Sequence, residues 1–379
     1  MQVQKQQNHA LRWRDGVLIA GIFAVMVALG FGVAFMGRRG VGDRGTVVRM
    51  APNFVLRDQH GRQVSLAQYR GEVVVLAFLD PDCTDICPLT SQILMGAMRR
   101  LGPAASEVEM LGVNVNPAAT RARDLAAYTR VHGMNALGRR WRFLTGTPKQ
   151  LRQVWKAYGV YVATPHGEVV HQAAVELVDE SGYLRSAFET PMRYDSIPRE
   201  SAMLAAGIAK LLPGDPAMHL PPGPAYPPAW APARLEQVAL AGPRPGRVEL
   251  GAGHPHLVCF FADWQKSGTN LPARLAVLDA YGAAARRHGW PPPLAIDEMT
   301  TEPSRMAARR GLKQLGRRLR TPIISDNTGR IADGYAVEDL PWYALTSPQG
   351  KILWRHDGWL SAKALIRQAG AAWGKRAGR

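Results

Sequence analysis

Cys83 and Cys87 stand four residues apart in Asp80-Pro81-Asp82-Cys83-Thr84-Asp85-Ile86-Cys87-Pro88, and the chain holds one other cysteine, Cys259. Thiols this scarce are not a stapling framework. They follow the apolar run Val73–Leu79, which reads as a buried strand. They precede a pattern that reads as a helix over residues 88–101, with the proline in its first turn. With Cys87 in or beside that turn, both sulfurs can face one side. A helix amino terminus stabilises anions, so the spacing predicts a pair of reactive thiolates. Such a pair can close a disulfide where the geometry allows it. It can equally hold a soft metal ion. Two thiolates with one imidazole suit copper, because sulfur selects Cu(I) and imidazole accommodates Cu(II).

A third ligand has to come from elsewhere, and His171 is the candidate. It stands just before an apolar strand at 173–178, and in a thioredoxin-like layout the residue entering that strand lies beside the cysteine helix. The later part of the chain offers an internal comparison. There Pro341 enters the corresponding strand, at the usual cis-proline position, and a histidine at that place would point at the thiols. From position alone, a loop histidine without a task stands as the alternative. His166, in a Pro-Gly loop, reads as an exposed loop residue rather than an accessory ligand. Asp82 and Asp85 read as loop carboxylates, with Asp85 capping the helix, rather than as an acidic patch for copper ions or a basic partner. Met95 and Met98, at helical spacing, read as core packing.

Positioning these groups requires an alternating α/β layer. Residues 110–115 read as a second apolar strand, and 121–132 and 148–158 as amphipathic helices. Residues 173–178 and 183–188 form a hairpin pattern around Asp179-Glu180-Ser181-Gly182, and 201–212 closes with a helix. Parallel crossovers ending in a hairpin give a thioredoxin-like domain over 45–212. Residues 213–244 are rich in proline (Pro213, Pro216, Pro221, Pro222, Pro224, Pro227, Pro228 and Pro232) and read as a semi-rigid linker. Over 245–375 the plan recurs: strand 256–262, helix 270–288, strands 293–296 and 322–325 around a helix at 305–319, a hairpin of 342–346 and 351–355, and a helix at 361–373. The expected fold class is α/β, two thioredoxin-like domains after an N-terminal transmembrane helix. In the second domain Trp264-Gln265-Lys266-Ser267-Gly268 resembles a Trp-Cys-x-x-Cys site with Gln265 and Gly268 in place of the cysteines. Cys259 falls inside a strand pattern and reads as a buried, inert thiol. This domain is expected to be redox-inactive and to serve docking, dimerisation or spacing. Residues 305–320 carry seven basic side chains and no acidic one, which an amphipathic helix with a solvated basic face explains.

The cysteine segment Cys83-Thr84-Asp85-Ile86-Cys87-Pro88 resembles the Cys-x-x-x-Cys-Pro motif of the Sco/SenC family of copper-binding assembly proteins. Further blocks are similar to that family over residues 50–212: Ala51-Pro52-Asn53-Phe54 with Asp58-Gln59-His60-Gly61, Trp141-Arg142-Phe143-Leu144-Thr145-Gly146, Val154-Trp155-Lys156-Ala157-Tyr158-Gly159-Val160, and His171 with Leu177-Val178-Asp179. The resemblance implies that Cys83, Cys87 and His171 are the ligands of a copper ion, Cu(I) or Cu(II). It implies a membrane anchor, an extracytoplasmic thioredoxin-like domain, and delivery of copper to the dinuclear site in subunit II of cytochrome c oxidase or to another copper-site protein. Ligand exchange of this kind describes a metallochaperone rather than an enzyme. The rival reading is a thiol–disulfide oxidoreductase that uses Cys83 and Cys87 on target cysteines without carrying metal and has no need of His171. No peroxidatic cysteine motif supports a thiol peroxidase. One departure is Asn116, in Val113-Asn114-Val115-Asn116-Pro117, where the family usually has Asp.

Residues 17–36 are apolar and uncharged, long enough to cross a bilayer. Lys5, Arg12 and Arg14 precede them and Arg38, Arg39 and Arg44 follow, so the flanking charges do not set an orientation. The run is longer than a usual signal-peptide core and lacks a clear cleavage site, so an uncleaved anchor is expected after a cytoplasmic segment 1–16. The expected location is a bacterial inner membrane, single-pass, with the remainder outside the cytoplasm. The net charge of +17 is spread along the chain as an Arg-rich composition, and no nucleic-acid motif accompanies it.

Overall fold

A computed structural model describes residues 49–214, 220–221, 223–224, 238–239, 247–251, 253–267 and 270–377. The expected anchor at 17–36, most of the expected linker and Gly268 lie outside the described residues. Among the described residues no helix is long and apolar enough to cross a membrane.

The first half runs β1 (Arg49–Met50), β2 (Val55–Arg57), β3 (Gln63–Ser65), β4 (Val73–Leu79), α1 (Ile86–Leu101), β5 (Val108–Asn114), α2 (Ala122–Val131), β6 (Trp141–Leu144), α3 (Pro148–Tyr158), β7 (Val162–Ala163), β8 (Val170–His171), β9 (Ala174–Val178), β10 (Tyr183–Glu189) and α4 (Ile197–Ala209). Six strands form one sheet in the order β1-β10-β9-β4-β5-β6. β4, β5 and β6 are parallel, and β9 lies antiparallel against β4. This is a thioredoxin-like mixed α/β layer. β4 is buried at every residue. Val73, Val75, Ala77 and Leu79 share a cluster with α1 and α4, while Val74, Leu76 and Phe78 pack on the side of α3. Burial on both faces is why this strand reads as an unbroken apolar run.

The second half adds a ribbon of β11 (Val238–Ala239) and β12 (Arg247–Val248), then β13 (Leu257–Phe261), α5 (Leu271–His288), β14 (Pro293–Glu298), α6 (Arg305–Arg318), β15 (Ile323–Asp326), α7 (Arg330–Gly334), β16 (Trp342–Thr346), β17 (Ile352–Asp357) and α8 (Ala362–Ala377). Its five-stranded sheet has the order β15-β14-β13-β16-β17, the same sequence of parallel and antiparallel neighbours as β6-β5-β4-β9-β10. Leu257, Cys259 and Phe261 face the helices α5 and α8. Val258, Phe260, Ala262, Trp342 and Ala344 instead join the cluster that holds α1 and α4. One face of the second sheet therefore shares a core with the first half, and both belong to one compact unit.

Specific contacts seal that shared core. Asp333 accepts the backbone N–H groups of Tyr194 and Asp195 at 2.8 and 2.9 Å. The rings of His132 and Trp264 meet edge to face at 5.0 Å. Gly329 has φ +77°, and a Cβ there would strike Tyr194, so the approach requires glycine twice over. The Leu340-Pro341 peptide is cis. Gln265, standing where a cysteine would be, accepts the Ala262 N–H at 3.0 Å and donates to Leu340 O at 2.9 Å. Its amide thus ties the strand end to the proline loop.

Candidate metal centre

The cysteine loop is built by the end of β4 and the start of α1. Asp85 caps the helix, its carboxylate accepting the Ile86 N–H at 2.6 Å. The helix begins at Ile86, two residues before the expected start at Pro88, so Cys87 lies inside the first turn. Tyr128, from α2, donates to Cys87 O at 2.9 Å and shares a 2.7 Å hydrogen bond with Ser91. Thr90 donates to Ile86 O at 3.0 Å. These bonds hold the turn from three directions, and Tyr128 carries no sequence signal beyond its place on an amphipathic helix.

Cys87 is fully buried, and its sulfur accepts the Asp80 N–H at 3.4 Å. Cys83 is partly exposed; its sulfur accepts the Cys87 N–H at 3.1 Å and its thiol donates to Asp85 Oδ1 at 2.6 Å. His171, on the two-residue strand β8, brings Nε2 to 3.6 Å from Cys87 Sγ. Its Nδ1 lies 3.0 Å from Gln172 O, and with Nδ1 as the donor the other nitrogen is left facing the sulfur. The structure thus brings all three expected residues to one place. Among the described residues no three His, Cys, Asp or Glu side chains are already gathered around one metal position. Cys83 is turned toward Asp85 instead.

The electrostatics separate the two thiols. Burial alone would raise Cys87, but its side-chain interactions with Cys83 and His171 and the charge on the imidazole outweigh it and bring the thiol to about 7. Burial would lower His171, yet its bond to Cys87 and the charge of that sulfur carry it to about 9. Cys83 is pushed well above the ordinary range by burial, by the neighbouring Cys87 and by Asp85. The expectation of two reactive thiolates is therefore corrected. The helix start and the imidazole serve Cys87, and the carboxylate beside Cys83 works against a second negative charge.

Asn116 reaches the same loop. Its Nδ2 donates to Asp80 at 2.9 Å and to Asp82 at 3.3 Å, bridging two carboxylates. Burial raises Asp80 above the usual carboxylate range. His166 is exposed, at φ 53°, and does not line the site. Met98 is buried in the α1 core with Met95 packed against it, as read. Cys259 is buried, and burial pushes its thiol up to about 12.

One positional inference is corrected. β4 pairs β9 as Ala77↔Val175, and β13 pairs β16 as Phe260↔Trp342. With the strand ends Leu79 and Phe261 aligned, Ala173 rather than His171 takes the station of Pro341. His171 reaches the sulfur from the β7–β8 ribbon two residues upstream. That ribbon is too short to leave a periodic trace in the sequence.

The site opens into a cavity of about 850 Å³. Its walls come from both halves: Cys83, Thr84, Asn116 and His171 from the first, Asp339, Trp342 and His356 from the second. No sequence signal linked the second half to this cavity.

A family profile described as SCO1/SenC matches residues 43–206. Protein SCO2 homolog, mitochondrial, of Bos taurus is 30% identical over 203 residues, which cover 48% of this chain and 74% of that protein. A protein of Stutzerimonas stutzeri named as copper-binding is 27% identical over 161 residues, 40% of this chain and 74% of its own. Among solved structures, Bradyrhizobium japonicum ScoI with copper bound is 22% identical, covers 43% of this chain and 100% of that chain, and has a TM-score of 0.37, too low to bear on the site.

Proposed function

The chain belongs to the SCO1/SenC family, and from that premise we propose that it is a copper carrier: Cys83, Cys87 and His171 hold one copper ion and release it to a protein that needs it. Copper is cargo here rather than a resident cofactor. The observation that carries this reading is the 3.6 Å approach of His171 Nε2 to Cys87 Sγ across 84 residues of sequence. Two sulfurs and one imidazole form a donor set that accepts both oxidation states of copper. The copper-binding name of the Stutzerimonas stutzeri relative supports the same cargo.

Loading displaces protons, because thiols and imidazolium bind metal only after losing them. Cys87 gives up its proton most easily, and Asp85 already accepts the hydrogen of the Cys83 thiol. Unloading runs through the partly exposed ligand, Cys83. An incoming thiolate meets Cys83 first, while the buried Cys87 and the half-buried His171 retain the ion until the exchange is complete. By the family resemblance, the recipient is the dinuclear copper site of cytochrome c oxidase subunit II or another copper-site protein. The segment 17–36 is proposed to anchor the chain in a bacterial inner membrane, with the remainder outside the cytoplasm.

The rival is a metal-free thiol–disulfide oxidoreductase. Such an enzyme presents its low-pKa thiol to the substrate. Here the thiol brought down to about 7 is Cys87, which is fully buried, an arrangement that favours a metal ligand. Copper titration of the His171→Ala protein tests the choice. The expected result is loss of tight Cu(II) binding with both thiols still oxidisable; unchanged copper affinity supports the oxidoreductase.

A further inference from the structure

We infer that the second half forms one wall of the copper-exchange cavity and selects its partner by charge, admitting a positively charged segment of the recipient protein to Cys83. This rests on the copper-carrier reading and extends it to the part of the chain that the family match does not cover. The cavity of about 850 Å³ above Cys83 and His171 is lined on one side by Glu338, Asp339, Trp342, Arg355, His356 and Asp357. Asp339 touches the cysteine loop itself, accepting a hydrogen bond from Thr84 between the two cysteines. Any group that approaches Cys83 through this cavity therefore passes residues of the second sheet and its proline loop.

The charge of this wall is opposite to that of the chain. The whole molecule carries +17, yet the lining carboxylates are Asp80, Asp82, Asp85 and Glu168 from the first half, with Glu338, Asp339 and Asp357 from the second. Arg355 is the guanidinium among the lining residues, and it lies over the Trp342 ring at 5.8 Å. Glu168, Glu338, Asp85 and Asp357 are exposed. A concave site in which one sign of charge predominates, here seven carboxylates against Arg355 and His171, focuses its field and raises the local concentration of the opposite sign. Trp342 supplies a second, independent feature. It is 4% exposed, and its indole N–H has no hydrogen-bond partner among the described residues. A donor left unpaired on a residue that lines the cavity suits an acceptor brought by an occupant, such as a backbone carbonyl. Cationic side chains on an extended segment that carries carbonyl acceptors match both features.

The selection is readable without copper. The reduced protein is treated in turn with a cationic disulfide (cystamine), an anionic one (5,5′-dithiobis-2-nitrobenzoate) and a neutral one (2,2′-dithiodipyridine). In each reaction the protein thiolate attacks the probe's S–S bond, a mixed disulfide forms, and one probe thiolate leaves. Cys87 can then displace the second probe thiol and close the Cys83–Cys87 disulfide. The variant Glu338→Gln/Asp357→Asn removes two exposed charges that belong only to the second half. The expected result is a fall of about threefold or more in the ratio of cationic to anionic rates, largest at low salt, with the neutral rate unchanged. A ratio equal to that of the wild type overturns the inference. Asp339→Asn is the second variant, expected to lower the ratio in the same direction. Because no metal is present, failure here leaves the copper reading standing, and failure of copper binding leaves this result intact.

Discussion

At the scale of single residues, the pairing of His171 with Cys87 is what separates this site from an ordinary thiol loop. The imidazole holds the buried sulfur near 7 against a desolvation cost that would otherwise raise it. His171→Ala should therefore move the midpoint of Cys87 thiolate formation upward by about one unit or more, followed by the pH dependence of alkylation. A midpoint still near 7 would assign the shift to the helix start and Cys83 alone. Asn116 gives a second prediction at this scale. Its amide bridges Asp80 and Asp82, so Asn116→Asp replaces a donor with a third carboxylate. The expected loss is about 1–3 kcal/mol at neutral pH in urea unfolding. The sign follows from linkage. The crowded carboxylates have raised folded pKa values, so the native state binds more protons, and the loss shrinks as pH falls through the carboxylate range. An equal loss at pH 5 and pH 7.5 would contradict this. Cys83, Cys87 and His171 were legible because thiols at fixed spacing beside a strand end carry their chemistry in their type. Tyr128 and Asn116 were not, since a tyrosine on a helix and an asparagine after a strand have no distinctive spacing.

At the scale of elements, the site depends on how α1 is seated. α1 packs against α4 at Gly96, where a Cβ would strike the Ser201 side chain. Gly96→Ala should destabilise the protein by about 1–3 kcal/mol through overpacking, and Ser201→Gly in the same chain should recover part of it. No loss on thermal or urea unfolding would mean that the two helices can part without cost. The long strands and the hairpin of β9 and β10 were readable from their apolar runs and their turn. α4 begins at Ile197, earlier than expected, because Pro198 occupies its first turn rather than preceding it. The β7–β8 ribbon that carries His171 has two residues on each side, too few for alternation to be visible.

At the scale of the whole molecule, the second sheet shares a core with the first half, and this was hidden in the sequence. A strand covered on both faces is apolar throughout whether its second cover is its own helix or another part of the chain. That core includes buried acids that set the pH response. Burial and Asp263 push Glu302 to about 8; burial and Asp326 push Glu298 to about 7; burial raises Asp333 to about 7. These groups hold protons in the native state that the unfolded chain releases near pH 4.5, so their contribution is complete below that value and is lost as pH rises through 7 to 8. His132, lowered to about 3 by burial, acts in the opposite direction, but only between 6.5 and 3. Above pH 6.5 the lowered Cys87 and the raised His171 act in opposite directions, and the carboxylates decide the sign. Tm should fall by roughly 5 °C between pH 6.5 and 8.5, and Glu302→Gln should flatten the slope. A Tm that stays level or rises over that interval would contradict the protonated state of this core.

The coordination shell of bound copper tests the central claim most directly. X-ray absorption of the protein loaded anaerobically with one equivalent of Cu(I) should show two sulfur ligands and one imidazole nitrogen, with the nitrogen lost in His171→Ala. A sulfur-only shell in the wild type, or one that does not change in the variant, would contradict the account.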